Sequence, residues 1–263
     1  MGSIKLVDVA PTMARVLGAR TPPIDGRPID GVEGWGCERV VLAIVDSLGY
    51  GLYRFLETFL PNMRGMAEEG LLLAAEAVAA STTPAIASIL TGLLPENHGI
   101  GSTRQASESE IRSLLEWASF EGVRSAVVME EEGARTFEGF VEAALGVPRG
   151  LSVRDFDREI LARSLEALDA DPRVLVSHFI GIDRVAHQGG GIDEVREAAS
   201  DVDDHIGDIA AAVPEESMMI ICGDHPIHAG ELQGVFDSSS VALILGKRRG
   251  GRSRRASAPF RPP

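Results

Sequence analysis

The sequence predicts an α/β domain, a mostly parallel central sheet with helices on both faces. Three observations carry that reading. From Val40 onward, apolar runs of strand length alternate with stretches of helix length, the pattern of a parallel sheet covered on both sides. The runs are continuous rather than alternating, as in strands buried on both faces. Three of them run into aspartate: Val40–Val45 into Asp46, Val174–Ile182 into Asp183, and Met218–Cys222 through Gly223 into Asp224.

The elements follow in order. Val40–Val45 is a buried strand. Leu52–Gly70 reads as a helix interrupted at Pro61, where the missing N–H breaks the ladder. Leu71–Ala79 is apolar and fits either state. Pro84–Leu90 reads as a short helix closed by Gly92, the residue type that best ends a helix. Glu108–Glu121 predicts an amphipathic helix with Ile111, Leu114, Leu115 and Ala118 on one face, and Gly122 leads into the strand Ser125–Met129. Glu130–Gly150 is acidic and Gly-rich, a surface loop with a short helix at Phe137–Leu145. Arg154–Leu168 and Ile192–Ala212 are helices, and Ser217–Cys222 and Val241–Leu245 are strands. No repeat or linker divides the chain, so 1–246 is expected to be one domain and 247–263 a basic, disordered tail.

Bulk properties narrow the function. A chain of 263 residues can bury one sizeable core. The net charge is −14, and the seven basic residues from Lys247 onward have no acid among them, so the body is more acidic still. That balance argues against wholesale nucleic-acid binding. No apolar stretch reaches membrane-spanning length, and Met1–Lys5 lacks a basic region leading into an apolar core. Neither a membrane span nor a signal peptide is expected, and the cytoplasm is the default location. Two cysteines, Cys37 and Cys222, exclude a disulfide framework and a four-cysteine zinc site.

The chemistry gathers around the aspartates. His187 lies four residues after Asp183, His225 directly after Asp224, and His228 just beyond. Carboxylate and imidazole are the ligands of Zn or Mn in open hydrolytic sites, and open α/β sheets collect such groups at the carboxyl ends of their strands. A metal site is therefore the leading reading. Ser81-Thr82-Thr83-Pro84 carries hydroxyls where a helix is capped and Pro in its first turn. A helix start presents free N–H groups to an anion, and a Thr hydroxyl needs a base or a metal to become a nucleophile. His98 is assigned to the turn after that helix, His178 to a strand interior, His205 to a helix, and Asp203 and Asp204 to a solvated helix face.

Four motifs together resemble the alkaline phosphatase superfamily, closest to its type I phosphodiesterase/nucleotide pyrophosphatase branch. They are Val45-Asp46-Ser47-Leu48-Gly49; Thr82-Thr83-Pro84 with Thr91-Gly92-Leu93-Leu94-Pro95-Glu96-Asn97-His98-Gly99-Ile100; Asp183-Arg184-Val185-Ala186-His187; and Gly223-Asp224-His225. The resemblance implies a nucleophile two residues before Pro and ten before the Gly of Thr-Gly, which selects Thr82 over Thr83. It implies one divalent ion, Zn or Mn, on Asp46, Thr82, Asp224 and His225, and a second on Asp183, His187 and a later His, for which His228 is the sole candidate. It implies a small phosphorylated substrate and a phospho-threonine intermediate. The branch commonly binds a phosphate oxygen with an Asn where Ala85 stands, and its second oxygen-binding position here reads Gly101-Ser102-Thr103-Arg104. Phosphonate hydrolysis, phosphomonoester hydrolysis and a catalytically reduced metal-binding relative stay as alternatives. The substrate-binding residues and the oligomeric state are not readable.

One segment is out of order. Asp8-Val9-Ala10-Pro11-Thr12 and the exit through Pro22, Pro23 and Asp25-Gly26-Arg27-Pro28 resemble a stretch that relatives carry last, after the final strand. The reading is a circular permutation, residues 1–30 standing for the usual C-terminal segment, with the old termini joined across Pro28–Glu38. The apolar face Leu6, Val9, Met13, Val16 and Leu17 should then pack beside Val241–Leu245.

Overall fold

The computed structural model describes residues 3–248. Its seven strands are β1 (Arg39–Val45), β2 (Leu71–Glu76), β3 (Ser125–Glu130), β4 (Ala143–Val147), β5 (Val174–Phe179), β6 (Ser217–Gly223) and β7 (Ser240–Lys247). They form one sheet in the order β2-β7-β6-β1-β5-β3-β4. Every pairing from β6 to β4 is parallel, while β7 is antiparallel to both β6 and β2. The strands that lead to Asp46, Asp183 and Asp224 are therefore the three adjacent central ones.

Helices cover both faces, as expected. On one face lie α2 (Tyr50–Leu56), α3 (Pro61–Glu69), α9 (Val153–Ala167), α10 (Gly181–His187) and α11 (Ile192–Ala212), their apolar residues packed with Val41, Ala43 and Val45 of β1. On the other, α1 (Val9–Leu17), α4 (Thr82–Thr91) and α7 (Leu114–Phe120) pack with Val40, Leu42 and Ile44. The short helices α5 (Pro95–His98), α6 (Thr103–Glu108) and α8 (Glu131–Arg135) complete the set. Alternate residues of one strand thus feed two separate cores, which is why the strands read as unbroken apolar runs. No helix among the described residues is long and apolar enough to cross a membrane. Cys37 and Cys222 are both free thiols.

Four sequence expectations need correction. The run Val174–Ile182 is not all strand: β5 stops at Phe179, and Ile180 and Ile182 are buried by the entry and first turn of α10. Glu108–Glu121 is helical only from Leu114: α6 ends at Glu108, and Ser113 caps α7 by accepting from Glu116 N while the Glu116 carboxylate accepts from Ser113 N. Phe137–Leu145 is not a helix; its end enters β4, which pairs with β3 at the sheet edge. Asp203 does not face solvent. It is fully buried and accepts from Asn62 N, Asn62 Nδ2 and Met63 N, capping α3 from α11. Asp204 is exposed as expected.

The first helix packs in the core, with Leu6, Val9, Met13 and Leu17 buried and Val16 half-buried. Its main partners are β1, α4 and α7 rather than β7, with which it shares only the common core layer. Lys5 bridges to Glu76 at the end of β2. The Asp8 carboxylate accepts from Lys5 N and Arg27 N, and Asp25 N and Gly26 N donate to Gly92 O, tying this segment to the end of α4. Lys247 ends β7 and Arg248 donates to Ala210 O and Ala211 O, so these two residues belong to the folded body. The rest of the expected tail lies outside the described residues.

Candidate functional site

The site stands at the carboxyl ends of β6, β1 and β5. Asp46, one residue past β1, is buried, and its amide donates to Phe179 O of β5. Asp224 and His225 follow β6 directly and are buried with it. Thr82 is the first residue of α4, whose capping Ser81 is extended (φ −147°) and makes no side-chain cap bond. The N–H groups of that first turn therefore have no side-chain cap from Ser81.

Two clusters form, sharing His225. In the inner one, Asp46, Asp224 and His225 offer ligand atoms all within 4.8 Å of one another, and in the outer one Asp183, His225 and His228 do the same. His225 Nε2 lies 3.2 Å from Asp46 Oδ1 and 3.4 Å from Asp224 Oδ2. Thr82 Oγ1 stands 3.3 Å from Asp46 Oδ2 and 3.2 Å from His225 Nε2. His187 Nε2 lies 3.5 Å from Asp183 Oδ1, and the His187 and His228 rings meet edge to face at 5.1 Å. All seven residues named as ligands from the sequence thus converge. His228, exposed, leans on the His225 ring at 4.7 Å as well.

The donor set fits a divalent cation. Asp46 Oδ1 and Asp224 Oδ2 are buried and lack any hydrogen-bond partner, a costly state for carboxylate oxygens unless a positive charge meets them. Burial, then the Asp183 charge, raises the Asp46 pKa, and burial, then Asp46, raises that of Asp224. Burial alone would lower the His225 pKa, but Asp224 and Asp46 outweigh it and raise it. Two carboxylates and an imidazole suit Zn or Mn.

Neighbouring residues hold these groups in place, and sequence reading passed over several of them. Ser47 N donates to Asp224 Oδ1 at 3.1 Å and Ser47 Oγ donates to Asp183 Oδ1 at 2.7 Å. Asp157 on α9 accepts from Ile180 N and Gly181 N, capping α10 from outside it, and any side chain at 181 would collide with that carboxylate. His178 is not merely interior to its strand: its Nε2, buried and without a hydrogen-bond partner, lies 3.5 Å from Asp46 Oδ2. Burial lowers its pKa. Of these, only Ser47 carried a sequence signal, its place in the Asp46 motif. His98 does belong to the turn after α4, where it bonds Ser88 Oγ and accepts from Ile100 N. His205 stacks on Phe179, away from the clusters.

A cavity of about 610 Å³ opens from Thr82, Asp46 and Asp183 along α4. Ile86, Met129, Phe137 and Phe140 give it apolar walls, His178 lines it beside Asp46, and Arg184 reaches it from α10. A smaller recess of about 360 Å³ is lined by Ala77–Ala80, His225 and His228. Ala85 is buried and offers no polar side-chain atom. Ser102 caps α6, while Arg104 is paired with Glu108.

Comparison with known proteins places this architecture. The family model of the type I phosphodiesterase/nucleotide pyrophosphatases matches residues 40–237, more than half of the chain. Among solved structures, phosphonoacetate hydrolase from Sinorhizobium meliloti 1021 superimposes with a TM-score of 0.62 at 15% identity, over 79% of this chain and 60% of that one. A protein of the alkaline phosphatase superfamily from Vibrio parahaemolyticus gives 0.58 at 15% identity, over 94% and 69%. These likenesses show an alkaline phosphatase-like fold. In sequence, the GPI ethanolamine phosphate transferase 3 of Eremothecium gossypii is 33% identical over 109 residues, 40% of this chain but 11% of that protein.

Proposed function

As the chain belongs to the type I phosphodiesterase/nucleotide pyrophosphatase family, we propose that it is a metal-dependent phosphoester hydrolase, of the diesterase type, with Thr82 as nucleophile. The observation that carries this reading is the Thr82 hydroxyl, held 3.3 Å from Asp46 Oδ2 and 3.2 Å from His225 Nε2 at the mouth of the cavity. Asp46, Thr82, Asp224 and His225 would hold one ion, and Asp183, His187 and His228 the other. Bound there, Zn or Mn would polarise the phosphoryl oxygens and lower the pKa of the Thr82 hydroxyl.

The chain's own groups do the rest. Asp46 Oδ2 accepts the Thr82 hydroxyl hydrogen bond and aims Oγ1 for in-line attack. A Thr82 O–P bond forms as the hydroxyl gives up its proton and the bond to the leaving oxygen breaks, that oxygen departing with a proton as an alcohol; water then cleaves the phospho-threonine and restores the Thr82 hydroxyl. Developing negative charge meets the N-terminal end of α4, where amides and helix dipole favour it. The cavity reaches Asp46, Thr82 and Asp183 and the recess reaches His225 and His228, so two separate spaces border the cluster, which suits a phosphorus bearing two organic groups. The order of segments is read the same way, as a circular permutation in which Leu6–Leu17 fills the core place of a C-terminal helix.

The test is a panel of chromogenic phosphate mono- and diesters with phosphonoacetate, assayed with added Zn or Mn. Diester turnover that Thr82→Ala abolishes supports the proposal. Phosphonoacetate cleavage in preference to every ester would move the assignment to a phosphonate hydrolase. Turnover unchanged in Thr82→Ala would end the nucleophile assignment.

A further inference from the structure

Ser47 is a buried residue in a backbone conformation that L side chains avoid. Its φ is +66°, and Asp171 is the only other non-glycine with positive φ among the described residues. Glycine would take this turn without a steric penalty. Strain of this kind persists only where surrounding structure enforces it, and it concentrates at functional sites. Here the side chain has a specific occupation. Its hydroxyl donates to Asp183 Oδ1 at 2.7 Å and lies 3.4 Å from His225 Nδ1, while its amide donates to Asp224 Oδ1 at 3.1 Å. A single residue therefore touches the inner cluster through its backbone and the outer one through its side chain.

The two contacts differ in what they need. The amide contact with Asp224 requires only the turn, which glycine would supply equally. The contact with Asp183 requires the hydroxyl. Asp183 sits on a seven-residue helix and is partly exposed, with His187 Nε2 at 3.5 Å as its other close polar neighbour. Without the hydroxyl, its carboxylate loses its one hydrogen bond to the strand ends, and the outer cluster has less to fix it.

We infer that Ser47 is a positioning residue that couples the two clusters, setting the affinity of the outer ion through Asp183 while leaving the inner ion to the strand ends. This rests on the two-ion reading above. The backbone strain at Ser47 accompanies that link, since glycine would keep the turn and lose it.

The experiment titrates metal-stripped full-length protein with Co(II) or Zn(II) against a chromophoric chelator, for wild type, Ser47→Gly and Ser47→Ala. Wild type should take two equivalents. Ser47→Gly should keep the first within about threefold and weaken the second by about 10- to 100-fold, the usual effect of losing an outer partner of a ligand. The stripped Ser47→Gly protein should melt no lower than wild type, because the turn is relieved. Ser47→Ala should share the metal defect but melt below Ser47→Gly. Equal weakening of both equivalents, unchanged binding of both, or a lower melting point for stripped Ser47→Gly would each overturn the inference. So would a wild type that takes only one equivalent. Because no activity is read, a protein that binds two ions in this pattern yet cleaves no ester would remove the proposed function and leave the coupling standing.

Discussion

The inner and outer clusters share His225 but are built from different material. Asp46, Asp224 and His225 follow the ends of two central strands and are 4%, 0% and 1% exposed. Their backbone is locked by the sheet, so their geometry exists before any ligand arrives. Asp183 and His187 stand on one short helix, and His228 on a loop, with the His187 side chain 52% exposed. The difference is one of cost and exchange. Burial disfavours the charged carboxylates of the inner cluster and raises the Asp46 and Asp224 pKa values, a penalty that an ion held there would relieve. The outer cluster is open to solvent at His187 and His228, so an ion there would relieve less and should leave more readily.

Thr82→Ala gives the largest expected effect. Turnover should fall by several orders of magnitude, while metal content stays near wild type because the inner carboxylates and His225 remain. Loss of metal along with activity would mean that Thr82 belongs to the inner cluster's structure and not only to its chemistry.

The comparison is then sharpened by removing one ligand from each side. Asp224→Ala should abolish binding of one equivalent outright, measured by elemental analysis after gel filtration. His228→Ala should keep both equivalents at saturating metal and lower the affinity of one by about 100-fold, the upper end of what losing an outer partner of a ligand costs. Equal defects in the two variants would erase the distinction between the clusters.

A stability test asks what supports the inner side. Met13→Ala removes a fully buried side chain of α1, which packs against α4 and β1. It should cost about 2–5 kcal/mol in denaturant unfolding. A neutral result would detach the first helix from the support of Thr82 and Asp46.

The smallest effect concerns the outer side. Burial pushes the Asp157 carboxyl up to about 6 from its ordinary 3.8, against the bonds it accepts from Ile180 and Gly181. The folded protein then holds this proton more tightly than the unfolded chain. The associated stability is present below the unfolded value and is lost as pH rises through the folded one. Asp157→Asn cannot ionise, so its melting temperature should fall less than that of wild type between pH 5 and pH 7.5. The difference across that range should be worth about 1.4 kcal/mol. Parallel melting curves across that range would show Asp157 charged throughout.

Much of this was legible because central strands announce themselves. A continuous apolar run ending in Asp46 or in Asp224-His225 leaves little else for the carboxylate to be than a group at the sheet's edge. The reading slipped where helix and strand look alike. Ile180 and Ile182 extend the apolar run of β5, yet they bury the start of α10, and periodicity over so few residues does not separate the two. β4, with Ala143, Ala144 and Gly146, has weak strand propensity and exists because β3 offers it an edge. Asp203 lies in a helix rich in acids, and only the arrival of α3 turns it from a solvated residue into a cap. Asp157 acts the same way on α10. Such caps join elements far apart in sequence, and no local pattern encodes them. The positive φ of Ser47 is likewise set by the turn between β1 and α2, although the residue itself stood inside a quoted motif.

The position of β7 has a consequence for synthesis. β2 leaves the ribosome early, but its sheet neighbour is β7, which spans Ser240–Lys247 and lies between β2 and β6. For the time needed to translate roughly 160 further residues, about 8–32 s at typical elongation rates, the nascent chain carries β2 without its sheet neighbour, and β6 joins it only shortly before β7 is made. Unpaired strand edges are where chains recruit one another. Ribosome-bound chains halted before residue 240 should therefore be the aggregation-prone species, and chaperone demand should drop sharply once β7 has emerged.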